Sequence, residues 1–305
     1  MTRRRRTIII LCIITFVLVS GIILTGIWLE TRDFRDNFSA MRGELGEIEE
    51  LGKVRKNGYT SKSVGALSST GIPFSARIKV PERRNNPLAA LIILGGLRTG
   101  KDIVDYMQGT PGMIIMAIDY PYEGKKEDLS AIEFMLALSD IRKAVLETPP
   151  AVMLGVDYLL SRDDVDPEMI TLIGGSLGAF FVPAVMASDP RIDAAAILFG
   201  AGDLKELIKN EIDLPFPLPC LGSSIASVLV SPVEPLKYVA GISPRPLLIL
   251  NGKADPRIPA ELAMKLHDAA GEPKTVAWID CGHMDVKSEE FNEKVVREVL
   301  GWLQK

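Results

Sequence analysis

Gly174-Gly175-Ser176-Leu177-Gly178 fits the pattern G-x-S-x-G. An apolar run, Met169 to Ile173 (MITLI), precedes it and a helix-like stretch, Leu177 to Ser188, follows. In a strand–turn–helix setting of this kind a serine is held on a tight, strained turn with its oxygen exposed. The plainer alternative is a glycine-rich strand end that merely packs closely. A serine hydroxyl attacks only when a base stands beside it. The chain holds two histidines. His267 falls inside the helical pattern Ala260 to Ala269 and reads as a packing residue. His283, in Asp280-Cys281-Gly282-His283, follows the apolar run Thr275 to Ile279 by four residues. A loop there lies on the edge where ligands gather in open α/β sheets, so His283 is the candidate general base. The base needs a carboxylate to orient it. Asp255, just after the run Pro246 to Leu250, falls on the same edge. Asp280 and Asp285 are rivals by proximity, and an Asp-Pro turn is the alternative for Asp255. Acyl transfer also needs donors for an oxyanion. The backbone N–H groups of Leu177 and of Leu97, in Gly95-Gly96-Leu97, are the candidates.

The elements that must position these residues are legible as unbroken apolar runs. Leu88 to Leu94, Met113 to Ile118, Met169 to Ile173, Ala194 to Phe199, Pro246 to Leu250 and Thr275 to Ile279 are each followed by Gly, Asp or Asn-Gly. Runs of five to seven such residues suit strands buried on both faces, the habit of parallel sheets. Tyr59 to Ser68 and Ile72 to Val80 alternate and read as further strands. Helical spacing recurs over Ala151 to Ser161, Leu177 to Ser188, Ala260 to Ala269 and Ser288 to Leu303, with an extra pattern over Leu129 to Leu146. The alternation predicts an α/β class, a doubly wound, mostly parallel sheet. Asp203 to Ser243, rich in proline and apolar residues, interrupts it and is expected to be a small helical lid over the sheet's carboxyl edge.

From about residue 60 onward the chain resembles the α/β-hydrolase superfamily, and within it the dienelactone-hydrolase-like and acyl-peptidase-like serine esterases. The resemblance is carried by LIILGGLRTGKD (91–102), VDPEMITLIGGSLGAFF (165–181), DPRIDAAAILFGAGDL (189–204), ISPRPLLILNGKADPRIP (242–259) and the CGH at 281–283. It implies Ser176 as nucleophile, Asp255 as acid and His283 as base, in the chain order this fold uses. It implies ester, thioester or related acyl substrates, with no metal and no organic cofactor. Gly95-Gly96 departs from the family's frequent His-Gly and bears on the second oxyanion donor. An acyl-aminoacyl-type peptidase ranks lower, because those proteins carry a large extra domain for which 305 residues leave no room. A catalytically silent, membrane-tethered binding protein is the alternative outside enzymes.

The amino-terminal region is of another kind. Arg3 to Arg6 form a cationic cluster, and Thr7 to Leu29 carries no charge. As a helix that run measures roughly 34 Å, enough to span the ~30 Å hydrocarbon core with some tilt. It is longer than the apolar part of a signal peptide and no A-x-A-like site closes it. Residues 1–29 are therefore expected to be a cytoplasmic basic tip and transmembrane anchor, with the catalytic domain on the exoplasmic side. Residues 30–57 read as a juxtamembrane helical stalk or a helix lying on the domain. Phe34, Phe38, Met41, Leu45 and Ile48 draw one stripe there. Residues 58–305 form the catalytic domain. A net charge of −4 gives no basic face for a nucleic acid. Cys12, Cys220 and Cys281 match no metal or redox spacing; whether Cys220 and Cys281 pair is open.

Overall fold

The structure is a computed structural model and describes residues 20–21, 24–56, 58–82, 87–107, 112–126, 130–211 and 218–304. Of the expected anchor Thr7–Leu29, residues 7–19, 22 and 23 lie outside the described residues. Residues 24–31 are helical (α1). Among the described residues one run, Gly222–Ile242, is long and apolar enough to cross a membrane, and half of it is buried inside the fold.

Nine strands form one sheet: β1 (Glu49–Lys56), β2 (Tyr59–Leu67), β3 (Pro73–Pro81), β4 (Leu88–Leu94), β5 (Ile114–Ile118), β6 (Val165–Gly175), β7 (Ala194–Leu198), β8 (Leu247–Gly252) and β9 (Lys274–Ile279). Their order is β1-β2-β3-β5-β4-β6-β7-β8-β9. β1, β2, β3 and β5 pair antiparallel, and β5 through β9 pair parallel. The central strands read as continuous apolar runs because both faces are covered; every residue of β5 is buried. Chain order reverses direction between β4 and β6, and a crevice opens at such a switch point beyond the strands' carboxyl ends.

On one face lie α2 (Arg35–Arg42), α3 (Ala131–Leu160), α4 (Val182–Ser188) and α7 (Pro235–Tyr238), over a core that includes Ile92, Leu94, Met116 and Leu172. The other face carries the 3-10 turn Gly100–Tyr106 and the last helix, α9 (Glu289–Leu303), against Leu91, Ile93, Ile173 and Leu198. α8 (Ala260–Ala269) precedes β9, and α5 (Leu204–Glu211) and α6 (Leu218–Val230) lie between β7 and β8.

Three expectations need correction. Residues 30–57 are not one helix: α2 ends at Arg42, Gly43 takes a positive φ of 64°, and the chain turns into the edge strand β1. Phe34 and Phe38 do share a helical face, but they are buried in the main core with Met41, Leu45 and Ile48 packed on it, so the segment belongs to the domain. The two helical patterns before and after Pro149-Pro150 are one 30-residue helix, α3. A proline inside a helix removes an N–H donor. Burial of Ala151, Val152 and Leu154 on one side and of Ala144 and Val145 on the other carries the helix through. Finally, among the described residues of 203–243 the expected lid is not seen. Val233, Tyr238, Val239 and Ile242 are buried in the main core, and Leu204 and Leu207 of α5 pack with Ile258 and Leu262. Glu234 ties the two parts together by accepting the N–H groups of Asp203 and Leu204 at 3.0 and 2.9 Å.

Candidate active site

Ser176 follows the last residue of β6 and opens the 3-10 turn Ser176–Phe180. Its φ is +53°, a left-handed value that non-glycine residues rarely hold. The neighbours enforce it. A Cβ on Gly178 would lie 2.1 Å from the carbonyl oxygen of Leu94, and one on Gly174 would lie 2.5 Å from the carbonyl oxygen of Gly178. The strand and the following turn are thus pressed together at spacings only glycine allows, and the serine is left at the apex.

Asp255 and His283 reach the same point from the ends of β8 and β9. Those two strands are paired along their length, and beyond them Lys253 N–H donates to Ile279 O and Ala254 N–H to Cys281 O. The two loops therefore leave the sheet side by side. His283 Nε2 lies 2.8 Å from Ser176 Oγ, and His283 Nδ1 lies 2.8 Å from Asp255 Oδ2. The Asp255 side chain is 1% exposed. Burial pushes its carboxyl up, but the hydrogen bond to His283 and the N–H groups of Arg257 and Ile258 on Oδ1 outweigh that, and the pKa is lowered overall. An ionised Asp255 fixes the proton on Nδ1 and leaves the Nε2 lone pair facing the serine hydroxyl. The rivals turn elsewhere: Asp280 pairs with Lys253 at the surface, and Asp285 accepts the N–H of Lys287.

Of the two oxyanion candidates, Leu177 stands in the first turn of the 3-10 helix, where N–H groups have no partner within the helix. Leu97 stands in the turn after β4, which closes through Thr99 and Gly100 N–H groups donating to Gly96 O. His267 is buried: its Nε2 lies 3.0 Å from Asn251 Oδ1 and its ring meets Trp278 edge-on. Cys281 is a free thiol, which leaves no disulfide to Cys220; the side chain of Cys220 and all of Cys12 lie outside the described residues.

The sequence reading missed three positioning groups. Asp119, after β5, accepts the N–H of Lys101 at 3.0 Å and pairs with its ammonium at 2.9 Å. Tyr120, buried and with its hydroxyl pKa pushed up by desolvation, donates to Gly95 O at 2.5 Å. Together they clamp both ends of the loop that carries Leu97. The signal was their place directly after an apolar run. Phe199 has φ +56° and lays its ring edge-on to His283, with centroids 5.9 Å apart; nothing in the sequence marks it. Beside Gly175 and Met284 lies a narrow apolar cavity of about 50 Å³ between the sheet and α9.

A sequence model of the prolyl oligopeptidase family matches residues 146–305, just over half of the chain. The chain is 30% identical over 147 residues to the uncharacterized protein YfhR of Escherichia coli K12, covering 48% of each. It is 26% identical over 129 residues to the human acylamino-acid-releasing enzyme, covering 39% of this chain and 17% of that one. The chain spans about half the length of the YfhR proteins it matches. Among solved structures, an acetyl xylan esterase from Paenibacillus sp. R4 superposes with a TM-score of 0.67 at 17% identity, covering 90% of this chain and 98% of that one. A dienelactone hydrolase fold from Klebsiella pneumoniae superposes with a TM-score of 0.60 at 16% identity, covering 82% and 100%. The structural matches carry the α/β-hydrolase fold, and the family match spans more than half of the chain: this chain belongs to the prolyl oligopeptidase family.

Proposed function

We propose that the chain hydrolyses esters of apolar acyl groups at a membrane surface. Ser176 attacks the acyl carbonyl while His283 Nε2 takes its proton, and Asp255 stabilises the imidazolium that results. The N–H groups of Leu97 and Leu177 receive the oxyanion. His283 then returns the proton to the leaving oxygen, and water, activated by the same imidazole, releases the acyl group from Ser176. The observation that carries this reading is the unbroken row of two 2.8 Å contacts from the serine oxygen to a buried carboxylate. The cavity beside Gly175 and Met284 supports an apolar acyl group: apart from Tyr106 and Asn292 its lining side chains are apolar, and none is charged to meet a peptide terminus. The chain's uncharged segment Thr7–Leu29 supports an anchor in the bilayer.

A peptidase of the acyl-aminoacyl kind is the second reading, favoured by the 26% identity to the human acylamino-acid-releasing enzyme. The test uses the full chain in detergent, wild type and Ser176→Ala, with p-nitrophenyl esters of increasing acyl length and N-acetyl-alanine p-nitroanilide. Ester turnover that rises with chain length and vanishes in Ser176→Ala is expected. Turnover of the anilide above that of every ester would select the peptidase, and undiminished turnover in Ser176→Ala would end both readings.

A further inference from the structure

The place where α1 joins the domain carries apolar side chains that the fold does not use. Leu24, Ile27 and Trp28 of α1 are 66, 51 and 55% exposed, and Ile132, Met135 and Leu136 of α3 are 73, 70 and 78% exposed. Spacing of three and four puts the α3 residues on one helix face. Ile225 of α6 is also exposed.

These stretches converge. Ser227 Oγ of α6 donates to Glu30 Oε1 at 2.8 Å, and Ser231 Oγ donates to Leu29 O at 3.1 Å. Arg142 of α3 donates to the carbonyl oxygens of Val228 and Leu229 at 2.7 and 2.8 Å, and its guanidinium lies over the ring of Phe34. The end of α1, the end of α6 and the middle of α3 are thus stitched at one point. At 1.5 Å per residue, Ile132 to Leu136 lie about 9–15 Å along α3 from Arg142, and Leu24 to Trp28 lie within about 8 Å of Leu29. The charges that border the patch are satisfied locally: Glu133 by Lys125 and the Ser130 cap, Glu30 by Lys205, and Arg32 over the Trp28 ring.

We infer that this surface, α1 together with the first turns of α3 and Ile225, lies in the lipid interface of the bilayer, so that the domain rests on the membrane rather than hanging from it. The inference rests on reading Thr7–Leu29 as the anchor. Chain continuity then selects the occupant. α1 begins within that uncharged segment and ends two residues beyond it, so the patch it joins stands at the bilayer face, where lipid is present at a concentration no protein partner matches. An exposed tryptophan beside an arginine suits the headgroup level, and a one-sided apolar helix face suits shallow burial.

The test places p-benzoylphenylalanine at position 136 of the full chain, with position 67 of β2, an exposed leucine, as a second site. The protein is reconstituted in phosphatidylethanolamine–phosphatidylglycerol vesicles, irradiated, and examined by mass spectrometry before and after an alkaline carbonate wash. A lipid adduct at 136 and none at 67, with the chain retained through the wash, is expected. Chain retained but with no lipid adduct at 136, or with a cross-link there to a second copy, overturns the docked surface while leaving the anchor standing. Release of the chain by the wash overturns the anchor reading and the inference with it. A Leu136→Glu variant that stays anchored checks the same point by hydrogen exchange: residues 131–139 should lose the protection they show in wild-type vesicles, and unchanged protection refutes the contact.

Discussion

Replacing Asp255 by asparagine keeps size and shape, yet the surroundings decide which way the new amide faces. Oδ1 of Asp255 accepts the N–H groups of Arg257 and Ile258 at 2.8 and 3.1 Å. An amide nitrogen placed there would point its hydrogens at two donors. The carboxamide oxygen must therefore take the Oδ1 position, and the NH2 group turns to His283 Nδ1. That nitrogen must then accept, the ring proton moves to Nε2, and the lone pair that should take the Ser176 proton is gone. Flipping the amide back would break both hydrogen bonds and set the amide hydrogens against the two N–H groups, at about 1–3 kcal/mol each. The productive arrangement thus sits about 4 kcal/mol uphill, which is roughly a thousandfold in rate. The assay is kcat/KM for p-nitrophenyl butyrate together with the rate of fluorophosphonate labelling at Ser176, on protein whose thermal unfolding matches the wild type. Both should fall in parallel. As a control, Asp280→Asn should leave both unchanged, because Asp280 is engaged with Lys253 at the surface. A loss smaller than about tenfold in Asp255→Asn, a gap of 1.4 kcal/mol or less, would show that this carboxylate does not set the tautomer.

Three further outcomes rest on the same packing. Gly178→Ala sets a methyl 2.1 Å from the carbonyl oxygen of Leu94, so calorimetry should show a loss of about 3 kcal/mol, or roughly 6–12 °C in Tm, with activity falling as the serine turn is pushed off its strand. Val295→Trp, in the α9 wall of the narrow cavity, overfills a space of about 50 Å³ in the core and should cost about 1–3 kcal/mol of stability by calorimetry; an unchanged Tm would refute the close packing there. His267 has its pKa lowered by burial from the ordinary 6.5. Its contribution to stability is whole above that pH and is lost as pH falls from 6.5 toward the folded value, where the unfolded chain takes the proton first. Urea unfolding of His267→Gln, which keeps a donor for Asn251, should lack that part of the decline; identical pH profiles would refute it.

The parallel strands were readable because a strand covered on both faces has no reason to alternate, and Leu88–Leu94 and Ala194–Leu198 show it. The positions of Ser176, Asp255 and His283 were readable for a related reason: each stands three to five residues beyond such a run, and parallel strands deliver their ends to one edge. Local rules failed where tertiary burial outweighed them. Pro149-Pro150 argued for a helix boundary, yet apolar side chains on both sides of the pair fix α3 to the sheet. The 34–48 stripe mixed a genuine helical face with a turn at Gly43 that periodicity does not register.

The clamp on the Gly95–Lys101 loop shows what kind of information sequence spacing lacks. Asp119 and Tyr120 lie some twenty residues from that loop, and only the parallel pairing of β4 with β5 sets their carboxyl ends side by side. The consequence is chemical. A backbone N–H can receive an oxyanion well only if its loop is already in place, because reorganisation during the reaction would cost the energy the donor supplies. Here the Lys101 end is held by a half-buried carboxylate whose pKa burial raises but the Lys101 N–H and ammonium lower overall. The Gly95 end is held by a phenol that desolvation keeps neutral, so that it remains a donor. The residues before and after Leu97 are thus secured by Asp119 and Tyr120, and the proposed second oxyanion donor depends on a strand pairing as much as on its own sequence.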